Sequence, residues 1–247
     1  MKKLLALALV MATLLCCLAG CNFGKQNKKV IDENFYCKVI DENNIAIGNV
    51  KTYPKDGAVF FPEQIENYTV SKIGFASGLG FGGNGYLSTV SSNGPNIQRC
   101  YFPHTINEVR SSYMQSAGNN LKVFYCGAVI DLIDLDVGYR DTEIYVPAEK
   151  YELFKNVLSE QYFRGSLLKA NVSYHLNYDE DNYYYVDYYE NGEKILYIPP
   201  IPVREGYTFE GWYKEIDCTN KWDFDNDVMQ LTDETQEIKL YAKWISE

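Results

Sequence analysis

A short strand-like run that ends on a proline recurs through this 247-residue chain, and that recurrence limits the fold more than any other feature. The runs are Val59-Phe60-Phe61-Pro62, Cys100-Tyr101-Phe102-Pro103 and Ile144-Tyr145-Val146-Pro147. Between the last two lies Lys122-Val123-Phe124-Tyr125-Cys126, which puts Cys126 in the proline slot. The slots at 103, 126 and 147 are 23 and 21 residues apart, and the step from 62 to 103 is 41, about two units. A period near 22 falls within the roughly 20–29 residues of short strand-bearing repeats. Each run is rich in β-branched and aromatic residues, and its proline cannot donate to a ladder, so the strand stops there. One such strand cannot bury its own face; a core arises only when neighbouring units stack.

After the last proline, Tyr151, Phe154 and Leu158 recur at steps of three and four, with Pro147 at a helix start and Glu149 and Glu152 in the first turns. The spacing predicts a helix over 148–158. Phe102-Pro103-His104-Thr105-Ile106-Asn107-Glu108-Val109 and the longer Ile65…Val70-Ser71-Lys72-Ile73-Gly74 resemble the BspA-type leucine-rich repeat of bacterial surface proteins. The strand-proline-helix of 144–155 resembles the unit that closes such arrays. The resemblance covers about residues 35–158 and implies a short, irregular solenoid closed by one helix.

Residues 159–171 have weak periodicity and include Gly165, so a linker is expected there. From Val172 the pattern changes. Tyr183-Tyr184-Tyr185-Val186 and Tyr188-Tyr189 lead into Glu190-Asn191-Gly192-Glu193, a strong hairpin signal. Gly206-Tyr207-Thr208-Phe209-Glu210-Gly211-Trp212-Tyr213 and Leu240-Tyr241-Ala242-Lys243-Trp244 follow. These two motifs closely resemble the Listeria–Bacteroides repeat of internalin-like surface proteins. The resemblance implies a small β-grasp-like domain over 172–247. Phe209, Trp212, Trp222, Phe224 and Trp244 are its expected core, which predicts a fragment that folds alone. The whole chain is therefore expected to be mainly β.

The N-terminus carries Lys2 and Lys3, an apolar run from Leu4 to Leu18, and Leu18-Ala19-Gly20-Cys21. This is the pattern of a secretory signal over residues 1–20, too short for the about 20 apolar residues of a membrane span. Leu-Ala-Gly-Cys resembles the bacterial lipobox, which implies cleavage before Cys21 and acylation of that residue. Two acyl chains suffice for stable anchoring. Residues 21–34, with Lys25, Lys28 and Lys29, read as a tether near an anionic leaflet. The remaining cysteines Cys37, Cys100, Cys126 and Cys218 show no Cys-x-x-Cys spacing and read best as apolar thiols.

The formal charge is −10, and removing the first twenty residues with their two lysines leaves −12. Such acidity argues against a nucleic-acid partner. Gly78-Leu79-Gly80-Phe81-Gly82-Gly83 fits Gly-x-Gly-x-x-Gly, but no helical pattern follows, so no cofactor is expected. Asp223, Asp225 and Asp227 are spaced like a calcium loop, yet Val228 stands where the sharp turn needs glycine, so no metal is expected either. The two histidines, His104 and His175, lack a Gly-x-Ser-x-Gly elbow, and no catalytic constellation is visible.

These readings converge on a lipoprotein at the extracellular face of the bacterial cytoplasmic membrane, held by Cys21, with a non-catalytic adhesion or protein-binding role. Its partner is an unknown surface protein or glycan. A glycan-binding protein of the cell wall or host, and a spacer module without a ligand, are the alternative readings. The tyrosines Tyr183, Tyr184, Tyr185, Tyr188 and Tyr189 are the candidate binding surface, because exposed tyrosines give large, rigid contact area.

Overall fold

The computed structural model describes residues 30, 32–74, 97–109, 121–127, 142–159, 165–178 and 183–247. It is mainly β. Ile31–Glu247 form one compact unit. Cys21 and its tether, the glycine run 78–83 and the acids 179–181 lie outside the described residues.

The described residues of the unit form three sheets. The first contains β1 (Phe35–Val39), β2 (Asn44–Val50), β4 (Gln64–Ile65), β5 (Tyr68–Ile73) and β7 (Glu108–Val109). Its strands β2, β5 and β7 run parallel, while β1 and β4 pair antiparallel to their neighbours. The second is a wholly parallel sheet of β3 (Ala58–Phe60), β6 (Arg99–Phe102), β8 (Lys122–Tyr125), β9 (Glu143–Val146) and β10 (Ser166–Lys169). The third holds β11 (Val172–His175), β12 (Tyr183–Asp187), β13 (Tyr207–Tyr213) and β14 (Ile238–Ser246), in the order β12-β11-β14-β13. Its central pair is parallel and its outer pairs are antiparallel.

The parallel sheet carries the period read from the prolines. Ala58 pairs with Arg99, Arg99 with Lys122, Lys122 with Glu143, and Glu143 with Ser166, which are offsets of 41, 23, 21 and 23 residues. Because the register is fixed, like residues fall on like residues. Phe60, Tyr101, Phe124 and Tyr145 form a continuous ring stack on one face, with centroids 4.0, 4.6 and 5.0 Å apart. On the other face Phe61, next to Phe102 at 5.0 Å and Phe35 at 5.6 Å, packs toward the first sheet.

A helix does follow Pro147, as a 3-10 turn at Ala148–Lys150 running into α1 (Tyr151–Ser159), which buries Phe154 and Leu158. It does not close the array. β10 follows it and adds one more parallel strand beside β9. The expected linker at 159–171 is therefore part of the fold over its described residues 165–171. Ser166–Lys169 is too short, and too close to Gly165, to show a pattern of its own.

The expected boundary between two self-contained domains also gives way. One buried cluster takes in Tyr101, Phe124 and Tyr145 from the parallel sheet, Cys126 just after β8, Tyr174, Tyr185, Trp212 and Leu240 from the third sheet, and Trp222 from the segment between β13 and β14. The Tyr185 ring sits edge-on to Phe60 at 5.2 Å, and its hydroxyl donates to the Phe61 carbonyl at 2.8 Å. The aromatic ladder would be exposed without this cover, so the third sheet is the outer layer of a shared core.

The expected aromatic core of the third sheet is present in graded form. Trp212 and Trp222 are buried, while Phe209, Phe224 and Trp244 pack half-buried against them. Gly211 sits at a bulge between Phe209 and Gly211 with φ +147°, and a Cβ there would meet Lys221 Cε at 2.4 Å. The Asn191-Gly192 turn forms, with Gly192 at φ +87°, but no ladder hairpin results. The run after it carries Pro199, Pro200 and Pro202, which lack the N–H a ladder needs. The turn is held instead by Gly192 N–H to the Met229 carbonyl at 2.9 Å and Leu231 N–H to Asn191 Oδ1 at 2.8 Å.

Candidate functional site

The tyrosine cluster proposed as a binding surface is mostly interior. Tyr183, Tyr184, Tyr185 and Tyr189 are buried, and only Tyr188 is half-buried. Period-2 reasoning assumes that one side of the strand meets water. Here β12 pairs with β11 and is covered by the parallel sheet, so both sides of the run are used. Cys21, the expected lipidation site, lies outside the described residues.

Tyr188 belongs to a groove of about 650 Å³ across the last strands of the parallel sheet. Repeat register builds it. Lys122 and Glu143 are paired positions on β8 and β9, and Tyr145 lies two residues further along, beside Leu168 of β10. Tyr151 comes from the first turn of α1, and Tyr188 and Glu190 from the segment leaving β12. Tyr145 itself is buried, stacked between Phe124 and Tyr188, whose ring lies 5.0 Å away at an interplanar angle of 32° and extends the aromatic ladder toward the surface.

Carboxylates hold both phenols. Tyr145 donates to Glu143 Oε2 at 2.8 Å, and Tyr188 to Glu190 Oε1 at 3.0 Å. Lys122 Nζ lies 3.6 Å from the same Glu143 oxygen and 5.6 Å from the Tyr145 ring centre, and Lys169 Nζ lies 5.1 Å over Tyr151. Burial first, then the bond to its carboxylate, pushes each phenol above its ordinary pKa, so both stay neutral donors. The sequence places Tyr145 and Lys122 in strand runs, Tyr151 on the helix and Glu190 in a turn, and gives none of Lys122, Glu143, Tyr151, Lys169 or Glu190 a site role. The signal was available: Arg99, Lys122 and Glu143 occupy equivalent slots of successive repeats.

Arg99, one repeat earlier, turns inward. Its guanidinium pairs with Asp187, which is fully buried, and lies 4.6 Å from the Phe124 ring centre and 4.5 Å from that of Tyr197. Asp187 also accepts from Tyr101 Oη at 3.0 Å and the Tyr188 N–H at 2.7 Å. Burial pushes the Asp187 carboxyl up to about 6 against the pull of Arg99. This pair ties the parallel sheet to the third sheet.

The other titratable groups weighed in the sequence have structural partners. Burial, helped by Lys239, pushes His175 down to about 4, and its Nε2 lies 2.9 Å from Ser173 Oγ. His104 Nδ1 lies 3.1 Å from Glu63 Oε1. Asp223 caps a turn through the Asp225 N–H at 2.9 Å and Asn226 Nδ2 at 2.8 Å, and Asp227 pairs with Lys214 at 2.9 Å. Among the described residues, Cys37, Cys100, Cys126 and Cys218 are free thiols, and burial pushes Cys37 up to about 12.

A second surface feature is apolar. The proline-rich strap after the Asn191-Gly192 turn leaves Leu196 72%, Ile201 74% and Val203 88% exposed, with Ile198 at 48%. Prolines 199, 200 and 202 keep it extended and outside any ladder. Several large apolar side chains exposed together mark a contact surface more often than chance scatter does.

Residues 171–243 match the Listeria-Bacteroides repeat domain. A putative Gly-rich membrane protein of Evansella cellulosilytica is 27% identical over 135 residues, which is 48% of this chain and 15% of that protein. A putative membrane protein of the same organism is 41% identical over 46 residues, 19% of this chain and 6% of that protein. Internalin H of Listeria monocytogenes is 41% identical over 51 residues, 21% of this chain and 9% of that protein. The chain thus spans less than a sixth of the length of each of these relatives. No helix among the described residues is long and apolar enough to cross a membrane.

Proposed function

We propose that the chain is a lipid-anchored protein of the extracellular face of a bacterial cytoplasmic membrane, with a non-catalytic role in adhesion or protein binding. The exposed apolar strap at 196–203, carried on the matched repeat domain, is the observation that bears the reading. Its occupant on this reading is an apolar patch on a protein of another cell surface. The signal pattern ending at Cys21 and relatives named as membrane proteins and an internalin support surface display. Residues 35–158 are read as a leucine-rich-repeat-like array, supported by ladder offsets that match the proline spacing. The third sheet is read as β-grasp-like, supported by its parallel central pair between two antiparallel strands.

Two variants test the proposal. Cys21→Ser should move the exported protein from the detergent phase to the aqueous phase. Unchanged partitioning would overturn the anchor. Ser at Leu196, Ile201 and Val203 together should leave the melting temperature unchanged and reduce retention on intact cells. Full retention would overturn the role given to the strap.

A further inference from the structure

Burial along the strap has a period of its own. Pro199 and Pro202 are buried, whereas Ile198, Pro200, Ile201 and Val203 are exposed. That step between inward positions is the repeat of a polyproline II helix, which has about three residues per turn and no internal hydrogen bonds. One edge of the strap is therefore seated on the protein. Two edges, Ile198 with Ile201 and Pro200 with Val203, form an outward ridge. We infer that the partner of this ridge is a protein groove walled by aromatic side chains, of the kind that reads polyproline II segments, with a carboxylate at one end for Arg204. The inference rests on the protein-binding role given to the strap and names the class of its partner.

Three observations carry it. First, the ridge is set before a partner arrives. Prolines 199, 200 and 202 have fixed φ and no N–H. Two buried tyrosines tie the strap down. Tyr184 Oη donates to the Pro200 carbonyl at 3.2 Å, and Tyr189 Oη accepts from the Leu196 and Tyr197 N–H groups at 3.2 and 2.9 Å. Docking a ridge held in this way costs little ordering entropy. Second, a segment that lacks these three donors cannot extend a partner's sheet, because a ladder needs them. It fits instead between flat side chains, and tryptophan and tyrosine supply both a flat wall and a donor for a carbonyl. Third, Arg204 ends the ridge with a directed cation. Its guanidinium lies 3.8 Å from the Tyr207 ring centre, 4.7 Å from that of Tyr178 and 5.9 Å from that of Trp244. It makes no ion pair among the described residues. The rings fix its position and leave its planar fork for a carboxylate on the partner.

The test measures retention of the purified Cys21→Ser chain on intact cells, so that no acyl chain contributes. Pro200→Leu keeps apolar area on the ridge but restores an N–H and frees φ. It should weaken retention about threefold or more at an unchanged melting temperature, and Arg204→Gln should do the same. A synthetic peptide of residues 195–205 should compete with the protein, and the same peptide with leucine at 199, 200 and 202 should compete about threefold or more less well. Raising salt from about 0.05 to 0.5 M should weaken the wild type more than Arg204→Gln. The inference is overturned if Pro200→Leu or Arg204→Gln is retained like wild type, or if the two peptides compete equally. It is also overturned if protein-free vesicles of phosphatidylglycerol and phosphatidylcholine retain the chain as well as cells do. If a variant melts early, the peptide comparison, which needs no fold, decides. Loss of retention in the triple serine variant with wild-type retention in Pro200→Leu would refute the aromatic groove alone. Full retention of the triple serine variant would refute the strap's role itself, so the two readings fail separately.

Discussion

Replacing Arg99 with Met removes the only cation that contacts the buried Asp187 among the described residues while keeping the apolar stem between Phe124 and Tyr197. In the variant the carboxylate, fully shielded from water, keeps neutral donors alone, the Tyr101 hydroxyl at 3.0 Å, the Tyr188 N–H at 2.7 Å and the Tyr189 side chain. Breaking a buried pair at one end costs about 3–5 kcal/mol, because the remaining charge is uncompensated. At about 2–4 °C per kcal/mol for a chain of this size, the melting temperature should fall by roughly 6–20 °C. Asp187 already sits at about 6 with Arg99 present, and without it the carboxyl goes higher. The folded variant then holds a proton that the unfolded chain releases near pH 4, so its stability should rise as pH falls from 8 toward 5. Arg99→Met with Asp187→Leu removes both charges and should recover most of the loss. The assay is thermal melting by circular dichroism at pH 8, 7 and 5. A single variant within about 1 kcal/mol of wild type at pH 7 would refute the structural role of the pair.

Two further outcomes follow from the third sheet. His175 sits at about 4 when folded and near 6.5 when unfolded. The unfolded chain therefore takes up a proton first as pH falls, and this residue removes stability between about pH 6.5 and 4, up to about 3 kcal/mol. Comparing urea midpoints of His175→Gln and wild type at pH 7 and 4.5 checks this; equal pH dependence would be the contrary result. Gly211→Ala should destabilise by about 1–3 kcal/mol, because φ +147° is unsuited to a side chain and the end of Lys221 would have to swing away; a neutral effect on the melt would argue against the bulge.

The sequence exposes what local chemistry decides. A proline must end a ladder, so the 23- and 21-residue steps survive into the register of Arg99, Lys122 and Glu143. Pro147, Phe154 and Leu158 mark the helix for the same kind of reason. The paired motifs from Gly206 and Leu240 become antiparallel neighbours, Phe209 facing Trp244 and Tyr213 facing Tyr241. What stays hidden is decided by distant partners. Arg99 looks like a solvated strand start until Asp187, 88 residues away, reaches it. The tyrosines of β12 look like half a surface until the aromatic ladder covers their second side. The groove stays hidden because its members are spread from Lys122 to Glu190, each ordinary in its own segment.

The central claim is that the matched repeat and the parallel sheet share one core. It is tested most directly by expressing residues 171–247 alone and measuring thermal unfolding by near-ultraviolet circular dichroism and calorimetry. Cut from the ladder, Tyr185 loses Phe60 and the Phe61 carbonyl, Asp187 loses Arg99, and Tyr188 loses Tyr145. The account predicts a fragment without a sharp heat-absorption peak that binds hydrophobic dyes, while the whole mature chain melts in a single transition. A fragment that melts cooperatively at the temperature of the whole chain would contradict it.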